Sequence, residues 1–279
     1  MQSPQTPATP VMQAMPATDD GRWAGLLRIE RRGALALVGI DRAAKRNALS
    51  DPLVEALGDA FAGFGADVRA IVLHGLGEHF CAGLDLSELR TRTSAEGMMH
   101  SMMWHRAFDA VQFGRAPVVS ALKGAVIGGG LELACATHVR VAEPSTFYAL
   151  PEGQRGLFVG GGGAVRLPRL IGVARMTDMM LTGRVHDAAS GQAIGLSQYL
   201  VGDGEALDRA IELAQRIADN APLTNFAVMH ALPRIADQAA SEGMLTESLM
   251  AAITSGDAEA QRRMQAFLEK RATRVAPGA

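Results

Sequence analysis

Lysine is scarce in this 279-residue sequence, in which Lys45, Lys123 and Lys270 are the only three. Arginine supplies the other positive charges, and 27 basic residues face 29 acidic ones, so the formal net charge is −2. A chain without a basic field has little to attract a nucleic-acid backbone, and we expect no nucleic-acid partner. An anionic ligand would therefore be held by a few local groups rather than by a general basic surface.

Cysteines, long apolar runs and early positive charges are also scarce. Cys81 and Cys135 are the only cysteines, and each lies among small apolar residues, which favours buried free thiols in a reducing compartment over a disulfide. No run approaches the roughly 18 apolar residues of a membrane span, so we expect no membrane partner and a cytoplasmic location. Residues 1–22 are rich in Pro, Thr, Ala and Gln, with no positive side chain before Arg22, which predicts a disordered tail rather than a targeting peptide.

Four common motifs of catalysis and cofactor binding are missing. The sequence has no P-loop, no dinucleotide-binding glycine fingerprint, no G-x-S-x-G turn and no H-E-x-x-H helix. Cys135 and His138 have the spacing of a metal-binding pair, but no second pair accompanies them. We interpret them as a core thiol beside a surface histidine and expect no metal site.

The first ordered segments predict strands and one helix. The segments "LLRIERR" and "ALALVGID" flank Gly33 and predict a hairpin that turns at this glycine. The segment "DPLVEALGDAFAGF" has apolar residues at helical spacing, with Asp51 as the predicted N-cap and Pro52 at the first helical position. The continuously apolar "RAIVLHG" predicts a strand that is buried on both faces.

The same order of elements returns further along the chain, and then the pattern changes. Residues 86–113 predict a helix, "APVVSALKG" a strand, "LELACATH" a helix, and "VRVAE" and "FYAL" two more strands. After Gly160, five segments have helical spacing and predict helices. They are residues 164–183, 187–195, 204–220, 221–238 and 257–272. The pattern predicts an α/β fold with a disordered tail at 1–22, a core at 23–200 and a helical C-terminal region at 201–279.

Two glycine-containing segments predict free backbone N–H groups. In "EHFCAGLDLSEL", Gly83 follows small residues, and Asp85 with Glu88 has the spacing of a capping box, so N–H groups around Ala82 are expected to stay free. In "IGGGLELA", the glycines let a ligand approach the backbone just before a helix begins, at the positive end of its dipole. Two such N–H groups from separate segments would stabilise negative charge on a carbonyl oxygen.

Two glutamates lie in apolar surroundings where carboxylates are unexpected. Glu132 follows the three glycines, and Glu152 follows Pro151 at the end of a strand pattern. If the two carboxyls converge, each raises the proton affinity of the other, and burial adds to the effect, which suits acid–base chemistry at neutral pH. A single glutamate near a helix N-terminus also serves simply to complement the helix dipole, so for Glu132 alone that structural role stays open.

Several motifs, taken in order, resemble the crotonase superfamily (enoyl-CoA hydratase/isomerase). They are "RAAKRNALS", "HFCAGLDL", "KGAVIGGGLELA", "LPEGQRGLFVGGGGAVRLPRLIG" and the closing "AFLEKR", and the resemblance extends from about Leu27 to Lys270. It implies a spiral core of ββα units with a helical C-terminal region used for trimerisation, often as a dimer of trimers. It also implies that coenzyme A enters only as part of a thioester substrate, with no separate cofactor.

The resemblance implies roles for individual residues. By motif position, Ala82 and Gly129 would supply the oxyanion-hole N–H groups, and Glu132 and Glu152 would be the catalytic carboxyls. Asp85 follows the pattern of the family and is interpreted as structural. The residues implied to contact coenzyme A are Lys45, Arg46, Ala48, Phe267 and Lys270.

The presence of both glutamates favours a hydratase, because members similar to the isomerases commonly keep only one. The implied reaction adds water to an α,β-unsaturated acyl-CoA, with Glu132 activating the water and Glu152 protonating the α-carbon, although the family often shares these roles. The segments "HSMMWHRAFDAVQ", "YALPEGQRGLFVGGGG" and "NAPLTNFAVMHALP" resemble the methylthioacryloyl-CoA hydratases. The alternatives are an isomerase, an aryl hydratase-lyase and a catalytically silent CoA-binding protein.

Overall fold

The computed structural model describes residues 21–88 and 91–269, which fold around two β-sheets. The strands within these residues are β1 (Leu27–Arg32), β2 (Leu35–Ile40), β3 (Ala70–Gly75), β4 (Val118–Leu122), β5 (Ala125–Ile127), β6 (Val139–Ala142), β7 (Phe147–Ala149), β8 (His186–Asp187) and β9 (Tyr199–Leu200). One sheet has the order β1-β2-β3-β4-β6-β9, and the other has the order β5-β7-β8. The first sheet is parallel apart from the β1–β2 hairpin, which turns at Gly33 as predicted.

Helices connect the strands and make up most of the C-terminal part. They are α1 (Asp51–Gly63), α2 (Ser94–Gln112), α3 (Gly129–Cys135), α4 (Gly163–Ile171), α5 (Val173–Thr182), α6 (Ala188–Ile194), α7 (Ala206–Ala218), α8 (Pro222–His230), α9 (Leu232–Asp237), α10 (Ala240–Ser255) and α11 (Ala258–Leu268). Short 3₁₀ helices lie at Ala43–Lys45, Leu86–Glu88 and Gly153–Arg155. The predicted alternation of strands and helices, followed by helices, is therefore present.

The first sheet is covered on both faces, which explains its unbroken apolar strands. In β3, Ile71 and Leu73 pack into the larger core with α1 and α2, whereas Ala70 and Val72 pack on the opposite face. That opposite face is covered by α7, so the first helix of the predicted 201–279 region belongs to the core. Alternate residues of a strand point to opposite faces, and a strand buried on both therefore needs apolar residues throughout.

The helix predicted over residues 86–113 is wrong at its N-terminal end. Only a short 3₁₀ turn forms at Leu86–Glu88, and the α-helix begins at Ser94. Thr93 caps this helix, because its side chain accepts from the Glu96 N–H while the Glu96 carboxylate accepts from the Thr93 N–H. This capping box fixes the start of α2 more strongly than the apolar spacing before it.

Three other local predictions need correction. Ser50, not Asp51, is the N-cap of α1, and the Asp51 carboxylate instead contacts His100, with 2.6 Å between Oδ1 and Nε2. The segment predicted as one helix after residue 220 is two, α8 and α9. Helix α10 was not predicted, because its apolar residues do not gather on one face; all of its residues except Gly243 are at least partly exposed.

Two further findings concern the sparse features of the sequence. Cys81 and Cys135 are both buried free thiols, as predicted. Within residues 21–88 and 91–269, no helix is long and apolar enough to cross a bilayer. Residues 1–20 of the predicted tail lie outside the described part.

Candidate active site

Glu132 lies inside the protein on α3, a short helix whose residues are all buried. The residue is only 3% exposed. Oxygen Oε1 accepts hydrogen bonds from the backbone N–H groups of Gly161, at 2.8 Å, and Gly163, at 2.7 Å. These donors come from the glycine segment that leads into α4, so one oxygen of the carboxyl is fixed by backbone.

The environment of Glu132 favours the protonated form. Burial is the largest cause and raises the pKa of the carboxyl to about 7, with the charge of Glu152 adding to the rise. The N–H groups of Gly163 and Gly161 and the charge of Arg166 act in the opposite direction. A carboxyl with a pKa of about 7 exchanges protons readily at neutral pH, which a dipole-capping glutamate does not need to do.

Glu152 lies on the other side of the glycine turn that opens α3. Gly128, the N-cap of α3, has a φ of +52°, and a Cβ at this position would overlap Oε1 of Glu152. Oxygen Oε2 of Glu152 is buried, with no hydrogen-bond partner in the described ranges. Burial raises the pKa of this carboxyl too. The two glutamates therefore lie close to the same glycine turn, and the charge of Glu152 acts on Glu132.

The N–H groups near this turn do not all remain free. The Ala82 N–H donates to the Arg46 carbonyl at 3.0 Å, so the predicted oxyanion-hole role of Ala82 is wrong. Gly129, at the first position of α3, has no acceptor for its N–H among the described residues. This agrees with its predicted position at a helix N-terminus.

The structure indicates Leu84 in place of Ala82. The Gly83 carbonyl accepts from the Leu49 N–H at 2.7 Å, and the Asp85 N–H donates to the Leu49 carbonyl at 2.8 Å. Because successive groups of an extended segment point in opposite directions, the Leu84 N–H faces away from Leu49, and it has no acceptor within the described part of the chain. Sequence reasoning found the segment and missed the residue, since only strand register distinguishes the two.

Leu84 and Gly129 belong to segments that touch. Gly83 has a φ of +88°, and a Cβ there would lie 2.7 Å from the Ile127 carbonyl oxygen and 3.5 Å from the Gly129 nitrogen. Gly83 thus allows the two backbones to approach. Two unpaired N–H groups on touching segments suit a carbonyl oxygen that gains negative charge.

Trp104 forms one wall beside these groups. A Cβ on Gly129 would lie 2.7 Å from Cζ3 of its indole ring, and a Cβ on Gly161 would lie 3.2 Å both from Cε3 of this ring and from Oε2 of Glu132. Trp104 is 5% exposed, and its ring meets that of Phe108 edge to face, with the centroids 5.6 Å apart. The free oxygen of Glu132 therefore lies in an aromatic, apolar environment, which accounts for the desolvation.

The segment predicted to contact coenzyme A forms a tight loop next to the Leu84 segment. Lys45 is half exposed, with its Nζ 3.6 Å from Oδ1 of Asp85, and Arg46 has a φ of +52°. Arg42 donates to both Asp85 and the Ala48 carbonyl. Hydrogen bonds from Ser87 and Arg42 hold the pKa of Asp85 well below its usual range, which fits the predicted structural role.

The rest of the predicted coenzyme A contacts lie in the C-terminal part. Phe267 is 63% exposed on α11, and Lys270 lies outside the described residues. The Glu88 side chain of the predicted capping box also lies outside, whereas Asp85 accepts from the Ser87 N–H at 3.1 Å. The structure does not bring Phe267 into contact with the two glutamates in one copy of the chain.

The prediction that His138 is a surface histidine is also wrong. The residue is partly buried rather than on the open surface, and its ring nitrogens contact the Val118 N–H at 2.9 Å and the Gln112 carbonyl at 3.0 Å. Burial lowers its pKa to about 4. Within the described ranges, no group of three or more His, Cys, Asp or Glu side chains is arranged to hold a metal ion.

One cavity in the described part of the chain lies away from the glutamates. It measures about 930 Å³ and runs between α7, α8 and α11, lined by Arg115, Phe226 and Arg263 among others. It is an open groove, and neither Glu132 nor Glu152 borders it. We place the chemistry at the glutamates, because volume alone supplies no reacting group.

Comparison with known proteins decides the family. The sequence model of the family described as enoyl-CoA hydratase/isomerase matches residues 30–275. The chain belongs to the enoyl-CoA hydratase/isomerase family. The predicted crotonase-type α/β fold with a helical C-terminal region is thereby confirmed.

Individual members of the enoyl-CoA hydratase/isomerase family agree in length and fold. Enoyl-CoA hydratase EchA19 of Mycobacterium tuberculosis is 32% identical over 249 residues, which cover 88% of this chain and 94% of the relative. The mitochondrial enoyl-CoA hydratase domain-containing protein 2 of Bos taurus is 35% identical over 247 residues, covering 86% and 83%. A solved structure from Rhodopseudomonas palustris, described as a candidate enoyl-CoA hydratase, is 59% identical with a TM-score of 0.86, covering 88% of this chain and 95% of that one.

Proposed function

We propose that this protein adds water across the α,β-double bond of a short-chain enoyl-CoA. The observation that carries the proposal is the pair of buried carboxyls, Glu132 and Glu152, with raised pKa values on either side of one glycine turn. An isomerase that moves one proton within its substrate needs one such group. Hydration delivers a hydroxyl and a proton to neighbouring carbons, and two carboxyls suit it better.

The proposed mechanism uses backbone and side chains together. The thioester carbonyl oxygen accepts hydrogen bonds from the N–H groups of Leu84 and Gly129, which stabilise the enolate-like charge. Oxygen Oε2 of Glu132 takes a proton from water as the water oxygen bonds to the β-carbon. Glu152 gives its proton to the α-carbon, and the pair returns to its starting state by passing one proton from Glu132 to Glu152 through solvent.

Coenzyme A recognition is part of the proposal. Lys45, Arg46 and Ala48 lie on the loop that holds the Leu84 segment through the Arg46 carbonyl and Asp85, so a ligand on this loop lies next to the oxyanion donors. We propose that Phe267 and Lys270 contact coenzyme A from a neighbouring subunit. The proposed hydration neither oxidises nor reduces the substrate, and the proposal includes no separate cofactor or metal.

Self-association as a homotrimer, or as a dimer of trimers, also belongs to the proposal. Its support is the apolar surface of the C-terminal helices, which one copy leaves exposed. These residues are Phe226, Val228, Leu232, Met244, Leu245, Leu249, Ile253, Met264, Phe267 and Leu268. Exposed apolar surface of this extent is typical of subunit contacts. A cytoplasmic location stays a prediction, supported by the two free thiols.

A methylthio-substituted substrate is the finer proposal. Water added to the β-carbon of methylthioacryloyl-CoA gives a thiohemiacetal, which expels methanethiol and leaves an aldehyde thioester. Trp104 supports a short acyl group, because its ring fills the space next to Gly129 and the free oxygen of Glu132. A small pocket with an aromatic wall accommodates a methylthio group and excludes a long chain.

The test is to supply crotonyl-CoA and, separately, methylthioacryloyl-CoA, and to follow loss of the enoyl-thioester absorbance together with free thiol. Loss with both substrates, and thiol release from the second alone, is the expected result. Loss with crotonyl-CoA alone would leave a short-chain hydratase and remove the methylthio proposal. Loss with neither, together with turnover of a β,γ-unsaturated or an aryl acyl-CoA, would replace hydration by isomerisation or hydratase-lyase chemistry; binding without any turnover would indicate a silent protein.

A further inference from the structure

One face of α2 carries a stripe of polar side chains that contact either the glycine segment next to Glu132 or Arg166. Ser101, His105, Asp109 and Gln112 are three or four positions apart, which places them along one side of the helix. The Ser101 hydroxyl donates to the Gly160 carbonyl at 2.6 Å and lies 3.3 Å from Nε2 of His105. This stripe lies outside the groups that would touch substrate.

Arg166 connects the stripe to the glycine segment. Its Nε donates to the Gln112 side chain at 2.7 Å, one terminal nitrogen donates to Asp109 at 2.6 Å, and the other donates to the Gly161 carbonyl at 3.1 Å. All three nitrogens of the guanidinium therefore donate a hydrogen bond. Arg166 is 8% exposed, so this geometry is held by packing as well as by hydrogen bonds.

The glycine segment is shaped to receive this arginine. Gly162 has a φ of +92°, and a Cβ at Gly162 would overlap a terminal nitrogen of Arg166. The same turn presents the N–H groups of Gly161 and Gly163 to Oε1 of Glu132. Gly161 thus makes both contacts, because its N–H donates to Glu132 and its carbonyl accepts from Arg166.

We propose that Arg166, held by Asp109 and Gln112, is a positioning residue that fixes the Glu132 carboxyl through the backbone of Gly161 to Gly163. This inference rests on the proposed hydratase function, in which Glu132 must direct its free oxygen at water. Arg166 touches neither substrate nor the reacting oxygen. It holds the turn that holds the carboxyl.

The arginine also acts on Glu132 through its charge. Arg166 lowers the pKa of Glu132, whereas burial and Glu152 raise it, and Cys135 is the other titratable group of α3 nearby. Asp109 partly neutralises Arg166. Loss of the arginine should therefore raise the pKa of Glu132, and loss of the Asp109 charge should lower it.

The test compares R166M, R166K and D109N with the parent, and S101A is the matched control. S101A removes a hydrogen bond to the same segment from the same helix without changing a charge. Infrared difference spectra against an E132Q background follow protonation of Glu132 with no substrate present. Hydration of crotonyl-CoA gives kcat and KM separately, and thermal unfolding checks the fold.

In R166M, we expect the Glu132 titration to rise by about 0.5 pH unit or more and kcat to fall about 10-fold, with little change in KM. R166K keeps the positive charge but loses the hydrogen bonds that the guanidinium makes. We therefore expect kcat to fall while the pKa of Glu132 stays near that of the parent. D109N should lower the titration, and because Asp109 is more than half exposed this variant should fold even if R166M does not. S101A should leave the titration unchanged.

A Glu132 titration in R166M and D109N equal to that of S101A would overturn the inference. A parent enzyme that hydrates no enoyl-CoA would instead overturn the proposed function. The infrared shift would remain measurable in that case, so the two failures are distinguishable.

Discussion

Glu132 and Glu152 are both buried carboxyls, but the protein treats them differently. Two backbone N–H groups hold one oxygen of Glu132, whereas Oε2 of Glu152 has no partner in the described part of the chain. Glu132 belongs to a helix, and Glu152 precedes a single 3₁₀ turn at the end of β7. The fold thus fixes the carboxyl that we propose to orient water, whereas one oxygen of the carboxyl that we propose to protonate the substrate carbon has no such partner.

Replacing either carboxyl should have the largest effect on the hydration rate. E132Q and E152Q keep the shape of the side chain and lose proton transfer, so each should reduce kcat about 10²- to 10⁴-fold. The measurement is the initial rate of crotonyl-CoA hydration, with oligomeric state checked by light scattering. E55Q, on the exposed face of α1, is the matched control and should keep the parent rate. A near-parent rate in either variant would remove that residue from the mechanism.

Displacing Glu152 without changing its charge should cost somewhat less. In G128A, the new methyl group overlaps Oε1 of Glu152, and φ is unfavourable for alanine, so the carboxyl must move. We expect kcat to fall about 10²-fold, as is common when a reacting group shifts by about 1 Å. G97A is the control, since a Cβ at Gly97 meets nothing within 4 Å. Equal rates in G128A and G97A would contradict the placement of Glu152.

The different burial of the two carboxyls should appear in stability as a function of pH. The pKa of Glu132 rises from about 4.5 to about 7 on folding, so the folded state binds more protons, and stability falls as pH rises through this window. E132Q should therefore have a higher free energy of unfolding than the parent above pH 7, by up to about 3 kcal/mol, because each pKa unit corresponds to about 1.4 kcal/mol. Denaturant unfolding of the two proteins measures this difference. The difference should disappear near pH 4. E152Q should show a smaller gain, and equal gains would contradict the comparison.

The wall beside Glu132 should affect selectivity more than rate. W104L keeps an apolar side chain but removes the ring that lies against Gly129 and Gly161, which lengthens the space for the acyl group. We expect kcat/KM for hexenoyl-CoA relative to crotonyl-CoA to rise about 10-fold, since one methylene is worth about 1–3 kcal/mol. W104F is the milder control. A ratio unchanged in W104L would show that the acyl chain runs elsewhere.

Much of this arrangement could be predicted from the sequence, because its signals are local. The turn at Gly33, the buried strand β3 and the helix after the three glycines all follow from residue type and spacing. Glu132 and Glu152 stood out because carboxyls are costly in apolar surroundings. The start of α2 could not be placed by apolar spacing, since the capping box at Thr93 determines it.

Other features depend on contacts between distant segments. The exchange of Ala82 for Leu84 follows from the register of Gly83 and Asp85 against Leu49, about 35 residues earlier in the chain, and no residue type signals it. The role of Arg166 also depends on a distant segment, because only its contacts with Asp109 and Gln112 of α2 distinguish it from any other helix residue. The substrate is still further from sequence, because its pocket collects side chains from several elements.

The most direct test of the account is a double-mutant cycle on crotonyl-CoA hydration with the parent, E132Q, E152Q and the combined variant. Because the two carboxyls are proposed to act in one addition of water, the combined variant should be about as slow as the slower single variant, so the effects are far from additive. Losses that multiply would mean that the two carboxyls act independently. That result would contradict the central claim that they form one proton-transferring pair.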